Sequence, residues 1–383
     1  MRRKTQRTLV PFVLFASVLC LILYINRPRS THKVFAWNTV RYASPSTSSF
    51  KPRGVCPGLA RSTKPALVVS RVAADGDSKW LDTLADLYHL CIYNVDTPFD
   101  ESMVHLQTPA NRGHEAMAYL TFLIDNYEDI PAAGAVFVHG SRWAWHNDAP
   151  DYDNASLLST LNVSAALAPL GYHNLRCDWS ASTCLSSSAR PQGSLETTFQ
   201  ATVEPWNARA VSDAALPSAL VALFGDPARG THSNIRLGRG DTVRSQCCAQ
   251  FVVSRDRVWQ HSRDEYTALR HWLLDGMDDS RTGERSKIDN AAPRDDRVAG
   301  RIFSYIWHIL FLGDDLPGAG DPSSVSHLGV DLDQLNTLAC PRADECYCRL
   351  YNRCGLEGCF TPDRCLGQYS VPPRFKLTTK QSR

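Results

Sequence analysis

Three short apolar runs, separated by two segments with helical spacing, limit this chain to few folds. The runs are "PALVVSRV" at 65–72, "CIYNVD" at 91–96 and "GAVFVHG" at 134–140. Their apolar character is continuous rather than alternating, which is typical of parallel strands that are buried on both faces. Between them, residues 78–90 and 111–131 have apolar side chains at helical spacing. This order predicts an α/β fold with a mostly parallel, helix-covered sheet.

The second half of the chain adds one strand and two helices to this prediction. The run "AQFVVSR" at 249–255 indicates a strand. Ser262 is a suitable N-cap for a helix over 262–277, and the aromatic run at 301–313 predicts another helix. We therefore place the α/β domain at residues 65–313.

The N-terminal 33 residues are predicted to be a cytoplasmic tail followed by a membrane anchor. The run "TLVPFVLFASVLCLILYI" at 8–25 has no charge and is about long enough to span a thin bilayer. It is followed by no small-residue cleavage site, which favours an uncleaved signal anchor over a cleaved signal peptide. The chain is then a type II membrane protein of the secretory pathway, with the Golgi as the expected organelle. Residues 34–64, which include the Ser/Pro/Thr-rich stretch at 43–54, are predicted to be a flexible stem.

The cysteines support a body in the lumen. Of the thirteen cysteines, Cys20 lies in the apolar run, and twelve remain. Eight of these are expected in disulfides: Cys177, Cys184, Cys340, Cys346, Cys348, Cys354, Cys359 and Cys365. The last six define a Cys-rich extension within residues 314–383, for which fifteen pairings are possible. The neighbours Cys247 and Cys248 are expected to bond to distant cysteines or to stay reduced. Zinc is the alternative, but paired C-x2-C knuckles are missing.

Two glycosylation sequons and the distribution of charge agree with this placement. The sequons begin at Asn154 and Asn162. Residues 1–71 contain thirteen Lys and Arg and no Asp or Glu, so the rest of the chain has a net charge of −11. Because nucleic-acid binding requires a basic surface, the acidic body argues against a nucleic-acid partner.

The stretch "FVHGSRWAWHND" at 137–148 is the candidate site. It begins at the carboxyl end of a predicted strand, where α/β sheets bind ligands. His139, His146 and Asp148 are candidate ligands of Mn²⁺ or Mg²⁺. The excess of acidic residues between positions 72 and 165 favours such a cation if the substrate is anionic. Trp143 and Trp145 could stack on a sugar.

Several motifs in the same order resemble one family. They include "VVSR", "IYN", "NRGHEAMAYLTFLIDNYEDIP", "VFVHGSRWAWHND", "GYHNLRC", "CCAQFVVSRDRV" and "IWHILF", between about residues 66 and 313. Together they are similar to the fungal family of domain of unknown function 3431. This resemblance implies no activity.

A more distant resemblance, to inverting glycosyltransferases of the GT-A type, implies a function. In those enzymes an Asn-x-Gly turn opens a helix and a later strand ends in an Asp-x-Asp metal site. Here "NRG" at 111–113 precedes the helix, but the strand ends in His139-Gly140. The resemblance implies binding of a nucleotide-sugar donor and a glycan acceptor. The expected donor-binding residues are Asn111, Arg112, Gly113 and Arg142, with Asp148 and His146 catalytic and Gln250 near the acceptor. The alternatives are a non-catalytic glycan-binding or scaffold protein and a metal-dependent hydrolase.

Overall fold

The computed structural model describes residues 2–25, 33–45, 52–97, 105–185, 187, 190–226, 234–277, 290–313 and 329–368. The strands are β1 Val34–Phe35, β2 Ala66–Arg71, β3 His89–Asn94, β4 Leu106–Gln107, β5 Ala135–His139, β6 Tyr172–Asn174, β7 Phe251–Val253 and β8 Val330–Asp331. The α-helices are α1 Arg2–Ile25, α2 Glu115–Asp125, α3 Asn154–Thr160, α4 Val163–Leu167, α5 Leu195–Val203, α6 Ala208–Phe224, α7 Arg255–Val258, α8 Arg263–Asp275, α9 Asp296–Leu312, α10 Leu332–Ala339 and α11 Ala343–Tyr351.

Six of the strands form one sheet with the order β4-β3-β2-β5-β7-β6. The first four strands are parallel, and β7 is antiparallel to both of its neighbours. The register places Val68 between Cys91 and Phe137. The predicted α/β fold with a mostly parallel sheet is therefore confirmed.

Both faces of the sheet are buried, as the continuous apolar runs predict. Because successive side chains on a strand point to opposite faces, Val68 and Phe137 join one core, whereas Val69 and Val138 join the other. Helices α2, α6, α8 and α9 contribute to the first core. The second core receives α3, α4 and α11.

Helix formation differs from the prediction in the crossover between β2 and β3. The segment expected to be helical over 78–90 forms only the 3-10 turns Lys79–Leu84, and β3 already begins at His89. Trp80, Leu81 and Leu84 are still buried, because spacings of three and four residues also place side chains on one side of a 3-10 turn. Farther along the chain, Ser262 caps α8 in a capping box, as expected.

The structure corrects the prediction of a flexible stem, because the described parts of residues 34–64 pack against the domain. Strand β1 pairs with β8 from the far end of the chain. Phe35 and Trp37 are fully buried, and the Trp37 indole donates a hydrogen bond to the carbonyl of Ile235. Cys56 is bonded to Cys91 of β3. Aromatic burial and this disulfide hold the segment, and only residues 46–51 lie outside the described part of the stem.

The Cys-rich extension is also part of the domain. Cys346 bonds to Cys177 and Cys340 bonds to Cys184, so two of the six clustered cysteines pair outside the cluster. The other four form the pairs Cys348–Cys354 and Cys359–Cys365. Because α11 completes the second core, the domain does not end at residue 313. The expected linker at 314–328 lies outside the described residues.

The N-terminal helix α1 is separate from these cores. Its large apolar side chains between Val10 and Tyr24 are exposed. Among the described residues, no helix combines the length and the apolar character that crossing a bilayer requires.

Candidate active site

The sheet has a topological switch point between β2 and β5. From β2 the chain proceeds to β3 and β4 on one side, whereas β5, β7 and β6 lie on the other. Ligands of open α/β sheets bind beyond the carboxyl ends of the strands at such a point. Gly140 lets the two strand ends approach, because a Cβ at this position would lie 2.8 Å from the Cα of Arg71. The stretch that begins at His139 therefore starts at the expected location of a ligand site.

Two histidines of this stretch form a hydrogen-bonded pair. Nε2 of His146 lies 3.1 Å from Nδ1 of His139, and the two rings meet edge to face. Burial lowers the pKa of His139 to about 4. Burial and then the charges of His139 and Arg176 lower the pKa of His146 to about 3. Both imidazoles are therefore neutral at neutral pH, so one donates and the other accepts.

The expected metal set is not assembled by the described residues. Asp148 is buried, and its carboxylate accepts hydrogen bonds from the backbone of Cys177 at 2.7 Å and from the Tyr347 hydroxyl at 2.8 Å. Among the described residues, Cys56, His89 and Cys91 are the single group of three potential ligands with mutually close atoms, and its cysteines form a disulfide. Asp148 therefore does not form one close group of potential ligand atoms with His139 and His146. The same bonds give Asp148 a structural environment rather than that of an exposed base.

Gln250 lies beside the histidine pair, although it comes from the strand region of β7. Its Oε1 accepts a hydrogen bond from the backbone N–H of His139 at 3.4 Å, and its Nε2 donates to Oδ1 of Asn147 at 3.2 Å. The side chain is buried. Gln250 therefore lies in the candidate site, where its two hydrogen bonds orient the segment that contains His139 and His146.

A cleft of about 550 Å³ opens next to this pair. The charged or aromatic side chains that line it include Glu115, Trp145, Arg209, Arg297, Arg301 and Tyr305. Trp145 is 68% exposed and lies edge-on to the ring of His146, 5.6 Å from it. Cys247 and Cys248 also line the cleft, and contrary to the expectation they are bonded to each other. The cleft combines positive charge with an indole that is accessible for stacking.

Glu115 gives the cleft a group that can exchange a proton near neutral pH. It lies in the first turn of α2, and its side chain is half-buried. Burial raises the pKa of this carboxyl to about 7. A backbone hydrogen bond and the charge of His114 act in the opposite direction, and the charge of Asp296 raises the pKa further. A carboxyl with this pKa is suited to general acid–base chemistry.

Arg301 is the most enclosed of the three cleft arginines. Its Nε lies 4.0 Å from Oδ1 of Asp213, and its Nη2 lies 3.4 Å from the hydroxyl of Tyr305. That hydroxyl donates to the same Asp213 carboxylate at 2.8 Å. Asp213 and Tyr305 thus lie beside the guanidinium, and a guanidinium is suited to bind a phosphate through two N–H groups.

The "NRG" turn has a structural role. The side chain of Arg112 is buried and donates to the carbonyls of Leu273, Gly276, Pro293 and Arg294 and to the carboxylate of Asp296. Gly113 has a φ of 71° and donates its N–H to the same carboxylate. Asn111 is exposed, and His114 rather than Asn111 occupies the N-cap of α2. Arg112 is therefore engaged with the α8–α9 connection and does not line the cleft.

Arg142 and Trp143 are also engaged in the protein. The guanidinium of Arg142 forms two hydrogen bonds with the carboxylate of Asp153, at 3.0 and 2.9 Å. It also lies over the ring of Trp143 at 4.8 Å. Of the two tryptophans, Trp145 is thus the one that lines the cleft.

The two sequons differ in accessibility, which gives a testable prediction. Asn154 is fully buried, with its Nδ2 directed at the carbonyl of His139, whereas Asn162 is half-buried and caps α4 through its Oδ1. In a eukaryotic secretory host we expect a glycan on Asn162 and none on Asn154. Asn162→Gln should abolish the glycosidase-sensitive mobility shift. Asn154→Gln should keep the shift and lower stability by about 1–3 kcal/mol. Loss of the shift in Asn154→Gln alone would contradict this assignment.

The cleft contains residues that the sequence analysis missed. Arg297 and Arg301 are one helical turn apart in α9, a spacing that places both on one side of a helix. The aromatic run predicts a helix only from Arg301 onwards, so Arg297 lies outside the predicted helix. Glu115 lies in the first turn of a predicted helix, where an acidic residue either serves in a site or only interacts favourably with the helix dipole. The helix dipole is the ordinary explanation. Only the packing around Glu115 distinguishes the two explanations.

Comparison with known proteins identifies the family. No curated protein and no solved structure gives a significant match to the chain. The family described as "Protein of unknown function (DUF3431)" matches residues 67–349, which includes the sheet, the cleft and most of α11. The match thus covers more than half of the chain and extends into the Cys-rich region that completes the second core. By this match, the chain belongs to the DUF3431 family.

Proposed function

We propose that this protein is a glycosyltransferase-like enzyme that transfers a sugar from a nucleotide-sugar donor to a glycan acceptor. The observation that carries the proposal is the cleft, which combines three arginines with the Glu115 carboxyl and the indole of Trp145. The arginines would neutralise the diphosphate as it leaves. Glu115 would accept the proton of the acceptor hydroxyl, and Trp145 would stack on a sugar ring.

The likeness to GT-A glycosyltransferases supports the same reading at the level of architecture. The GT-A architecture has a mostly parallel sheet, and a strand late in the chain lies close to the acceptor. The sheet is of this kind, and the late strand β7 lies next to β5 with Gln250 beside His139. Glu115 favours an enzyme over a scaffold. A metal-dependent hydrolase is less well supported, because the described residues do not assemble His139, His146 and Asp148 into a ligand set.

We also propose that α1 anchors the chain in a membrane of the secretory pathway, with the Golgi as the organelle. The uncharged run at 8–25 and the disulfides of the body support this placement. The C-terminal body would then lie in the lumen, where glycans are built.

Calorimetric titration of the full chain with UDP and GDP, with and without Mn²⁺, tests the proposed function. We expect at least one nucleotide to bind, and Arg301→Met to weaken its binding by about tenfold or more. Arg342→Met is the matched control, because Arg342 is paired with Asp344 in the extension, outside the cleft. Binding that requires Mn²⁺ and is lost in His139→Ala/His146→Ala would instead favour a metal site. The absence of binding by either nucleotide would refute the nucleotide-sugar proposal.

A further inference from the structure

Helix α5 has an exposed apolar face. Leu195, Phe199 and Val203 follow one another at intervals of four residues, and Trp206 lies three residues beyond Val203, the last residue of the helix. These four residues, which we call the α5 face, are 54%, 70%, 52% and 72% exposed. The opposite side of the helix packs against α6 and contains the buried Thr197. The amphipathic pattern is thus inverted relative to a normal surface helix, in which the apolar side faces the core.

Such a face needs a partner, because soluble proteins rarely expose contiguous large apolar side chains. Phenylalanine, leucine and tryptophan are the residues that interfacial helices insert at the boundary between lipid headgroups and acyl chains. Tryptophan in particular is enriched at that boundary, where its ring is buried and its N–H remains hydrated. The composition of the α5 face therefore matches a lipid surface.

The α5 face lies close to the point where the chain leaves for α1. Lys33, the first described residue after α1, forms an ion pair with Asp241 at 2.7 Å. Gly238 packs closely against Lys33, because a Cβ on Gly238 would lie 2.8 Å from Nζ of Lys33. Gly193 packs closely against Leu237, the neighbour of Gly238, because a Cβ on Gly193 would lie 2.9 Å from the Leu237 carbonyl oxygen. Gly193 directly precedes the N-cap of α5. Because only seven residues separate Ile25 from Lys33, the covalent distance between them is at most about 29 Å. A membrane that holds α1 is thus within reach of α5.

The charges around the α5 face do not oppose such a contact. Glu196 pairs with Arg190 at 3.2 Å. Glu204 accepts hydrogen bonds from Gln200 and Asn207 at 3.1 and 2.9 Å. Because these carboxylates have partners and the face itself is apolar, the contact requires no anionic lipid.

We infer that the α5 face docks on the surface of the bilayer that holds α1. This inference rests on the proposed membrane attachment of α1 and adds a second contact, independent of the cleft chemistry. Trp206 is three residues from Arg209 of the cleft, so docking orients the cleft relative to the membrane. The contact buries apolar side chains in the interface and leaves the Arg190–Glu196 pair in water.

The test reconstitutes the full chain in phosphatidylcholine vesicles with or without brominated acyl chains and measures quenching of tryptophan fluorescence. We expect brominated lipid to quench part of the wild-type emission, and Trp206→Phe to lose most of that quenching at both low and high salt. Trp145→Phe and Trp259→Phe are matched controls, because these tryptophans are also exposed but lie outside the α5 face. Both control variants should be quenched as the wild type is.

Three results would overturn the inference. If the full chain does not float with vesicles, both the anchor and the docking fail. If it floats but Trp206→Phe is quenched as the wild type is, docking alone fails. If Trp206→Ser converts a dimer in detergent to a monomer, a second copy rather than lipid covers the face. Nucleotide binding is measured separately, so none of these results depends on the proposed sugar transfer.

Discussion

Glu115→Gln is expected to reduce the release of nucleoside diphosphate from the preferred nucleotide sugar by about 10²–10⁴-fold. The side chain lines the cleft together with the three arginines, and its pKa of about 7 lets it accept a proton at neutral pH. Glutamine keeps the size of the side chain but accepts no proton. The measurement is diphosphate release from a panel of UDP and GDP sugars, with water or a glycan as acceptor.

The pH profile separates a catalytic role from a structural one. Because Glu115 must be ionised to act as a base, the wild-type rate should rise as the pH increases through about 7. The residual rate of Glu115→Gln should lack this rise. Glu128→Gln, which changes an exposed carboxyl just beyond the other end of α2, is the control and should retain both rate and profile. An unchanged profile in Glu115→Gln would exclude Glu115 as the base.

The stability of Glu115→Gln gives a second readout, and its sign follows from linkage. The folded pKa is raised from 4.5 to about 7, so the folded state binds the proton more tightly than the unfolded state does. This contribution to stability is complete below pH 4.5 and is lost as the pH rises through 7. Relative to the glutamine variant, the wild type should therefore lose on the order of 3 kcal/mol over this range. Chemical denaturation at pH 4.5 and 8 measures the difference.

Arg112→Met is expected to lower the free energy of unfolding by about 3 kcal/mol or more. The buried guanidinium joins the end of α8 to the start of α9, through carbonyls such as that of Leu273 and the carboxylate of Asp296. Methionine fills part of the volume but donates no hydrogen bond, so several partly buried acceptors lose their donor. Denaturant unfolding measures the change.

Arg112→Lys and Arg297→Met provide the controls for this prediction. Lysine keeps the charge but lacks the planar fork, so it should recover only part of the stability. Arg297 is exposed in the first turn of α9, and its pair with Asp295 is exposed as well. Arg297→Met should therefore leave the unfolding transition unchanged. Equal stability of Arg112→Met and wild type would contradict the structural role of Arg112.

The elements near the switch point were predictable because their signal is local. Continuous apolar runs identify β2 and β5 within one or two residues, and the Ser262 cap identifies the start of α8. The position of His139 follows from the same rule, since it is the last residue of a buried strand. Each of these features depends on residues that are neighbours in the chain, so the sequence is sufficient to predict it.

Most of the candidate site depended on contacts between distant segments. Asp148 has the chemistry of a base, but its carboxylate accepts a hydrogen bond from the Tyr347 hydroxyl. Arg112 has the chemistry of a phosphate-binding residue, but its guanidinium donates a hydrogen bond to the Asp296 carboxylate. Their partners are almost two hundred residues away, and no local pattern reveals such a pairing. The disulfides that join the extension to the domain are long-range as well.

The amino-acid sequence by itself determined the α/β class, the parallel core strands, the disulfide-rich character and the family of this protein. Tertiary structure alone decided which polar groups are engaged in the fold and which line the cleft. The reason is physical: a side chain's hydrogen-bonding and charge are local properties, whereas its burial and its partners are set by the packing of the whole chain. Glu115 illustrates this, because an ordinary first-turn glutamate acquires a pKa of about 7 only through what surrounds it.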